Sequence, residues 1–210
     1  MVGSLETGFT GLHKTMTEAT STSPTRRDGD DSSHLAYVRD AAAAHAPKHR
    51  RLIRTARHGR LLSALMLPGV MAWPGSAYGV ITTTGRKTGK ARRKCIRVIR
   101  RGNKAYIVAL RPPEVAKVRP SAVSGWVWNI RSNPNVTLRI RGGTFAGVAR
   151  ELTDQVELAE ARAAFCESVN PRDYGECALH LRGLPTRTKI EELHRYWFDT
   201  GIPLVVDLLD

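Results

Sequence analysis

The pattern of apolar and polar positions divides the chain into three parts. Residues 1–33 are rich in Ser, Thr, Gly and Asp and show no apolar period, which predicts a disordered N-terminal tail. Residues 34–67 follow a helical period that is interrupted at Pro47, with apolar positions on one face and cations on the other. We therefore predict a basic amphipathic helical region at 34–67. The remaining residues, 68–210, form the main domain.

The main domain alternates with the period of strands. Six strands are predicted, at residues 78–84, 96–100, 105–110, 136–140, 144–152 and 202–208. Tight turns are expected at Gly102-Asn103 and Gly142-Gly143. Helices are expected at 126–132, from Asp154 to about 168, and from Thr188 to about 201. This order predicts an α+β fold that is mainly antiparallel β, closed into a barrel and flanked by helices.

Composition is that of a folded protein. Apolar residues make up 41% and charged residues 25% of the 210 residues, so a hydrophobic core can form. No apolar run approaches the roughly 18 residues that span a bilayer, and no signal peptide is visible, so we expect a cytoplasmic protein. The three cysteines have no metal-ligand spacing, which favours reduced thiols and no metal site.

Charge gives the strongest indication of a partner. The chain has 33 basic and 19 acidic residues, a net charge of +14. Residues 84–150 contain 17 Lys and Arg against one acid, Glu114, a net charge of +16 for that segment alone. A field of this sign attracts nucleic acid, anionic lipid or a phosphorylated small molecule, and charge alone does not choose among them.

A glycine-rich basic loop, TTTGRKTGK at residues 82–90, follows the first predicted strand. Two glycines that flank cations and a hydroxyl allow a sharp turn, whose N–H groups and cationic side chains can hold a phosphate. The spacing is not that of a Walker loop, because Gly89 lies only four residues after Gly85. A solvated basic hairpin turn is the alternative, and the spacing leaves both open.

This motif, followed by WVWNIRSNPNV and then RELTD, resembles the deazaflavin-dependent nitroreductase and quinone reductase family. The match runs from residue 78 to residue 154, with a weaker similarity in TGIPLVVDL. The resemblance implies a split β-barrel similar to the flavin-mononucleotide-binding one, with 68–210 as the cofactor-binding domain. It also implies reduced coenzyme F-420, whose phosphate and polyglutamate tail suit the cationic segment.

The resemblance assigns two sets of residues. The residues expected to bind the cofactor are Thr84, Gly85, Arg86, Lys87, Thr88, Gly89, Arg92, Trp126 and Asn129. Those expected at the substrate pocket are Tyr174, Tyr196 and Trp197. Packing in the core is an alternative for these aromatic side chains and for Trp128. Capping of the turn before Pro134 is an alternative for Asn129.

The activity that the resemblance implies is hydride transfer from reduced coenzyme F-420 to a quinone, nitro or other enone-like acceptor. The cofactor supplies this chemistry, so no dedicated acid or base is required and no catalytic residue is assigned. Flavin mononucleotide is the second choice of cofactor. The loop at 110–125 departs from the family by its length and loss of glycines, which also leaves open a non-catalytic flavin- or lipid-binding relative.

Nucleic acid and an anionic membrane are the other partners that the positive charge allows. A nucleic-acid-binding module is disfavoured because Tyr106 is the only aromatic residue between Arg86 and Arg119, so bases would lack stacking platforms. The basic face predicted for a helix at 48–67 suits peripheral contact with an anionic membrane, at its inner face. Packing of that helix on its own domain is the alternative.

Overall fold

The computed structural model describes residues 28–50 and 56–209. Its helices are α1 Asp28–His45, α2 Ala56–Ala72, α3 Pro113–Val118, α4 Gly125–Ser132, α5 Gln155–Glu167, α6 Pro171–His180 and α7 Arg187–Thr200. A short 3-10 turn, Ala46–Lys48, follows α1. Its strands are β1 Tyr78–Thr84, β2 Ala91–Arg101, β3 Lys104–Ala109, β4 Asn135–Ile140, β5 Gly143–Glu151 and β6 Ile202–Leu208.

The six strands close into a barrel in the order β1-β2-β3-β6-β5-β4, and every neighbouring pair is antiparallel. The predicted α+β fold, a split β-barrel with flanking helices, is confirmed. Successive strand residues point to opposite faces, so β1 directs Ile81 into the barrel interior and Val80 into a second core beneath the helices. Helices α5, α6 and α7 contribute to that second core.

Strand register defines two ends of the barrel. Thr84 pairs with Ala91, so the loop at residues 85–90 closes one end, here called the loop end. On the other side of β1, Val80 pairs with Arg139, which places the turn at Gly142-Gly143 at the opposite end, here called the far end. Strand β3 finishes at Ala109 towards the loop end, so α3 and α4 follow it there.

The N-terminal helices differ from the prediction. Helix α1 begins at Asp28, inside the predicted 1–33 tail, because the sequence DGDD places acidic residues where the helix dipole favours them. The predicted helix at 48–67 is wrong at both ends: α2 begins at Ala56 and continues through Pro68 to Ala72. Burial of Val70 offsets the hydrogen bond that Pro68 cannot donate.

The predicted basic face of that helix is therefore not continuous. Lys48 lies in the 3-10 turn and pairs with Glu192 of α7. Arg50 donates its amide to the His180 carbonyl and its Nε to the Leu181 carbonyl. Two of its other cations, at positions 51 and 54, lie outside the described residues.

The structure differs from the sequence prediction in three smaller ways. Helix α3 lies within the stretch predicted as a loop and packs Ala116 against Val38 and Ala42 of α1. Helix α6 was not predicted, and β2 begins at Ala91 instead of residue 96 because its cationic residues pair along the end of β1. Across the residues that the structure describes, no helix has the length and apolar character to cross a membrane.

Candidate cofactor site

The loop end carries a tight turn between β1 and β2. The Gly85 N–H donates to the Lys90 carbonyl at 2.9 Å, while the amides of Thr88 and Gly89 donate to the Gly85 carbonyl at 3.0 and 2.7 Å. Gly89 has a φ of +66°, a conformation that suits glycine, and a Cβ on Gly85 would lie 3.0 Å from the Lys90 carbonyl oxygen. Both glycines are therefore required by the turn itself.

Asn129 of α4 fixes this loop to the barrel. Its side-chain Oδ1 accepts the Arg86 amide N–H at 3.1 Å, and its Nδ2 donates to the Thr83 Oγ1 at 3.1 Å. Asn129 and Thr83 are both buried. The amide group of Asn129 thus holds the loop in place through both of its polar atoms, which makes it a positioning residue for Arg86.

The tryptophans of α4 divide between the core and the surface. Trp126 is half-buried and packs against the barrel core. Trp128 is exposed, and the guanidinium groups of Arg86 and Arg131 lie over its ring, with Cζ atoms 5.8 and 4.7 Å from the ring centroid. Stacking on Trp128 orients Arg86 without neutralising it. Arg131 is also held by a two-contact ion pair with Glu151.

Five exposed cations surround the turn without a carboxylate partner. Among residues 28–50 and 56–209, no ion pair joins an acidic side chain to Arg86, Lys87, Lys90, Arg92 or Arg93. The Arg92 guanidinium donates to the Thr88 hydroxyl at 3.5 Å. Because most loop amides are used within the turn, an anion here would be bound mainly by side chains.

The structure thus brings together most of the predicted cofactor residues. Thr84, Gly85, Arg86, Lys87, Thr88, Gly89 and Arg92 belong to one turn, which Asn129 contacts directly. Thr83, Lys90, Arg93 and Trp128 adjoin them and were not assigned from the sequence. Trp128 directly precedes Asn129 on α4, and its ring lies under the guanidinium of the same loop arginine whose amide Asn129 accepts. Cofactor binding by each of these residues stays a prediction.

The predicted substrate-pocket residues lie elsewhere. Tyr196 and Trp197 of α7 are buried in the core beneath the helices, and Tyr174 of α6 is exposed. Tyr196 stacks on His45 with ring centroids 4.1 Å apart, and Trp197 meets His180 edge to face at 5.0 Å. Core packing accounts for the two buried rings, so their place in a substrate pocket remains a prediction without a contact to support it.

The donor set at the loop fits the tail of coenzyme F-420. A phosphate followed by glutamate carboxylates carries several negative charges in a row, and the turn offers several unpaired cations in a row. No group of three or more potential metal ligands occurs in the described part of the chain.

Individual known proteins share little sequence with this chain. No curated protein matches the sequence. Among solved structures, an F420-H2-dependent reductase is 17% identical, with 62% of this chain and 93% of that chain covered and a TM-score of 0.40. The heme storage protein from Vibrio cholerae is 11% identical, with 70% and 89% covered and a TM-score of 0.39.

A family model gives the decisive match. The model described as F420-H(2)-dependent quinone reductase matches residues 67–189, more than half of the chain. The matched range includes the whole loop from Gly85 to Lys90 and helix α4, which carry the cations and Asn129. The chain belongs to the F420-H(2)-dependent quinone reductase family and is therefore a deazaflavin-dependent oxidoreductase.

Proposed function

We propose that the protein transfers a hydride from reduced coenzyme F-420 to a quinone, with nitro and other enone-like compounds as further acceptors. The reduced deazaflavin supplies the carbon-bound hydride for this reaction. The observation that carries the proposal is the group of unpaired cations at the turn between β1 and β2, held by Asn129.

The residues of this chain have binding and positioning roles in that reaction. Arg86 and Lys87 would hold the phosphate side of the cofactor, while Lys90 and Arg92 would extend the cationic surface that its tail requires. Asn129 keeps the Arg86 backbone in place, and Trp128 limits the directions that the Arg86 guanidinium can take. Because these contacts position Arg86 before the cofactor binds, less conformational entropy is lost on binding.

Replacement of Arg86 and Lys87 together tests the cofactor site. The R86A/K87A variant should bind coenzyme F-420 at least about 100-fold more weakly, because each charge-assisted hydrogen bond contributes roughly 1.5–3 kcal/mol. Fluorescence titration with the oxidised and reduced cofactor measures this change. Both residues are exposed, so the melting temperature should stay within about 2 °C of the wild type.

A matched variant separates local contacts from the general positive field. R101A/R141A also removes two positive charges, but from exposed positions at the far end of the barrel. It should leave the affinity for coenzyme F-420 within about threefold of the wild type. Equal losses in the two double variants would contradict the assignment of the cofactor tail to the loop. Flavin mononucleotide, the second candidate cofactor, is titrated in parallel and should bind more weakly because it lacks the glutamate tail.

Peripheral contact with an anionic membrane is a second property that we propose. It would place the enzyme at the inner membrane face, next to apolar acceptors. The observation that favours it is the outer surface of α2, which is apolar and exposed. This proposal is independent of the cofactor site.

A further inference from the structure

Helix α2 has two apolar faces, and within the described part of the chain only one of them packs against other residues. Its inner face packs Val70, Leu67 and Met71 against the core beneath the helices. Further along the same face, Gly59 accepts the Lys94 ammonium at 3.4 Å, and the Ser63 hydroxyl accepts the Cys95 amide at 3.0 Å. These contacts fix which side of α2 faces the barrel and which side faces outwards.

The outer face is also apolar. Leu61 and Leu65 are 65% and 76% exposed, Met66 adjoins them, and Trp73, directly after the helix, is 77% exposed. A Cβ on Gly69 would meet no atom within 4 Å, so no described residue lies against the helix at that position. Exposure of several large apolar side chains on one surface is unfavourable in water, and such a surface is typical of an interaction site.

Cations flank the apolar face at both ends. Arg57 and Arg60 lie in the first turns of α2, and the sequence of the helix contains no acidic residue. At the other end, Trp73 and Arg141 line an open cleft of about 480 Å³ between the end of α2 and the turn that joins β4 to β5. The partly buried Arg139 side chain also lines it, held by the Met71 carbonyl at 2.6 Å.

We propose that the outer face of α2, together with the Trp73–Arg141 cleft, docks onto an anionic phospholipid bilayer. Leucine and tryptophan side chains enter the boundary between headgroups and acyl chains, while arginines at both ends meet lipid phosphates. Arg141 has no ion pair within the described residues, so a phosphate in the cleft would be its counter-ion.

Charge favours a bilayer over a second copy of the chain. In a twofold contact through α2, the same patch meets itself, so the arginines of one copy would approach those of the other without carboxylates between them. An anionic surface neutralises both groups of arginines at once. This docking rests on the proposed membrane contact, for which it specifies the protein surface and the negative charge of the lipid. It does not depend on the redox reaction.

Vesicle binding by the full chain tests the inference. Wild-type protein should sediment with phosphatidylcholine vesicles that contain phosphatidylserine, and much less with pure phosphatidylcholine. The L61S/L65S/W73S variant should lose at least roughly 100-fold in the partition coefficient, since three large apolar side chains no longer leave water. The control V118S/V156S/L184S replaces three equally exposed apolar residues away from α2 and should bind vesicles as the wild type does.

Two further measurements make the outcome decisive. Binding that is unchanged in the L61S/L65S/W73S variant would overturn the inference. A wild type that is dimeric in buffer and becomes monomeric in this variant would also overturn it, because α2 would then be a subunit interface. Affinity for coenzyme F-420 without vesicles should be unchanged in the variant, so failure of membrane docking is distinguishable from failure of the proposed enzyme activity.

Discussion

At the scale of single residues, a buried ion pair joins β2 to α6. The side chains of Arg97 and Asp173 are 3% and 0% exposed and bond directly to each other. Asp173 also accepts the Tyr78 hydroxyl at 3.0 Å and the Asn170 amide at 2.7 Å. The second Arg97 nitrogen donates to the Ser168 carbonyl at 2.7 Å. The hydrogen bonds offset the cost of removing both charges from water.

Substitution of Asp173 should therefore be strongly destabilising. Asp173→Asn removes the carboxylate that bonds directly to the buried Arg97 guanidinium, so we expect the free energy of unfolding to fall by about 3–5 kcal/mol in urea titrations. Glu151→Gln, which weakens the exposed pair with Arg131, serves as the control and should cost about 0–1 kcal/mol. Similar small losses in both variants would show that the buried pair contributes little.

At the scale of elements, predictability followed the strength of the local pattern. Strand β1 and strand β6 were predicted at their observed bounds because they are apolar, β-branched and bounded by turn residues. The sequence did not predict helix α6, because Gly175 and the polar residues of this segment leave no clear helical period of apolar positions. Its start was nevertheless encoded, since Asn170 and Asp173 form a capping box around Pro171.

The site was predictable as a list of residues but not as an arrangement. The glycine and cation spacing of the loop indicated an anion site, and the structure places those residues in one turn. Asn129 bonds both the Arg86 amide and Thr83 because α4 packs against β1. These contacts join residues that are more than 40 positions apart in the sequence. No local pattern encodes such a contact, nor the packing of Ala116 against α1.

Docking of α1 depends on histidines that are neutral when folded. His45 at the end of α1 bonds His49 at 3.0 Å and stacks on Tyr196, while His49 also meets His180. Burial lowers the pKa of His45 and His180 to about 4. Burial, with the neighbouring His180 and His45, lowers the pKa of His49 to about 3. Glu192 opposes the shift at His45, and Lys48 adds to it.

This cluster predicts a loss of stability in acid. A histidine whose folded pKa is below its unfolded value near 6.5 binds protons preferentially in the unfolded chain. Its stabilising effect is therefore complete above pH 6.5 and is lost as the pH falls to the folded pKa, about 4 for His45 and His180 and about 3 for His49. His49→Gln should flatten the dependence of unfolding free energy on pH between 4 and 6.5. Burial raises the pKa of Glu176 to about 7, and this effect is common to both proteins and cancels in the comparison. Parallel pH profiles would contradict the role of His49.

At the scale of the whole molecule, one positive field serves two kinds of binding. The net charge of +14 attracts any polyanion, whereas the loop at the end of the barrel offers a few cations on one turn whose backbone Asn129 holds. Specific recognition should therefore differ from general attraction in its dependence on salt. A ligand that neutralises few cations releases few counterions, and duplex DNA that neutralises many releases many.

Salt titration should separate these two kinds of binding. Between 50 and 200 mM salt, affinity for random-sequence DNA should fall by roughly 10³-fold or more if six or more phosphates are contacted, whereas affinity for coenzyme F-420 should fall by about tenfold or less. The R101A/R141A variant should weaken DNA binding and spare the cofactor, while R86A/K87A should reduce both. Tight DNA binding near physiological salt, without cofactor affinity or quinone reduction, would contradict the proposed activity and leave the positive field as a nucleic-acid surface.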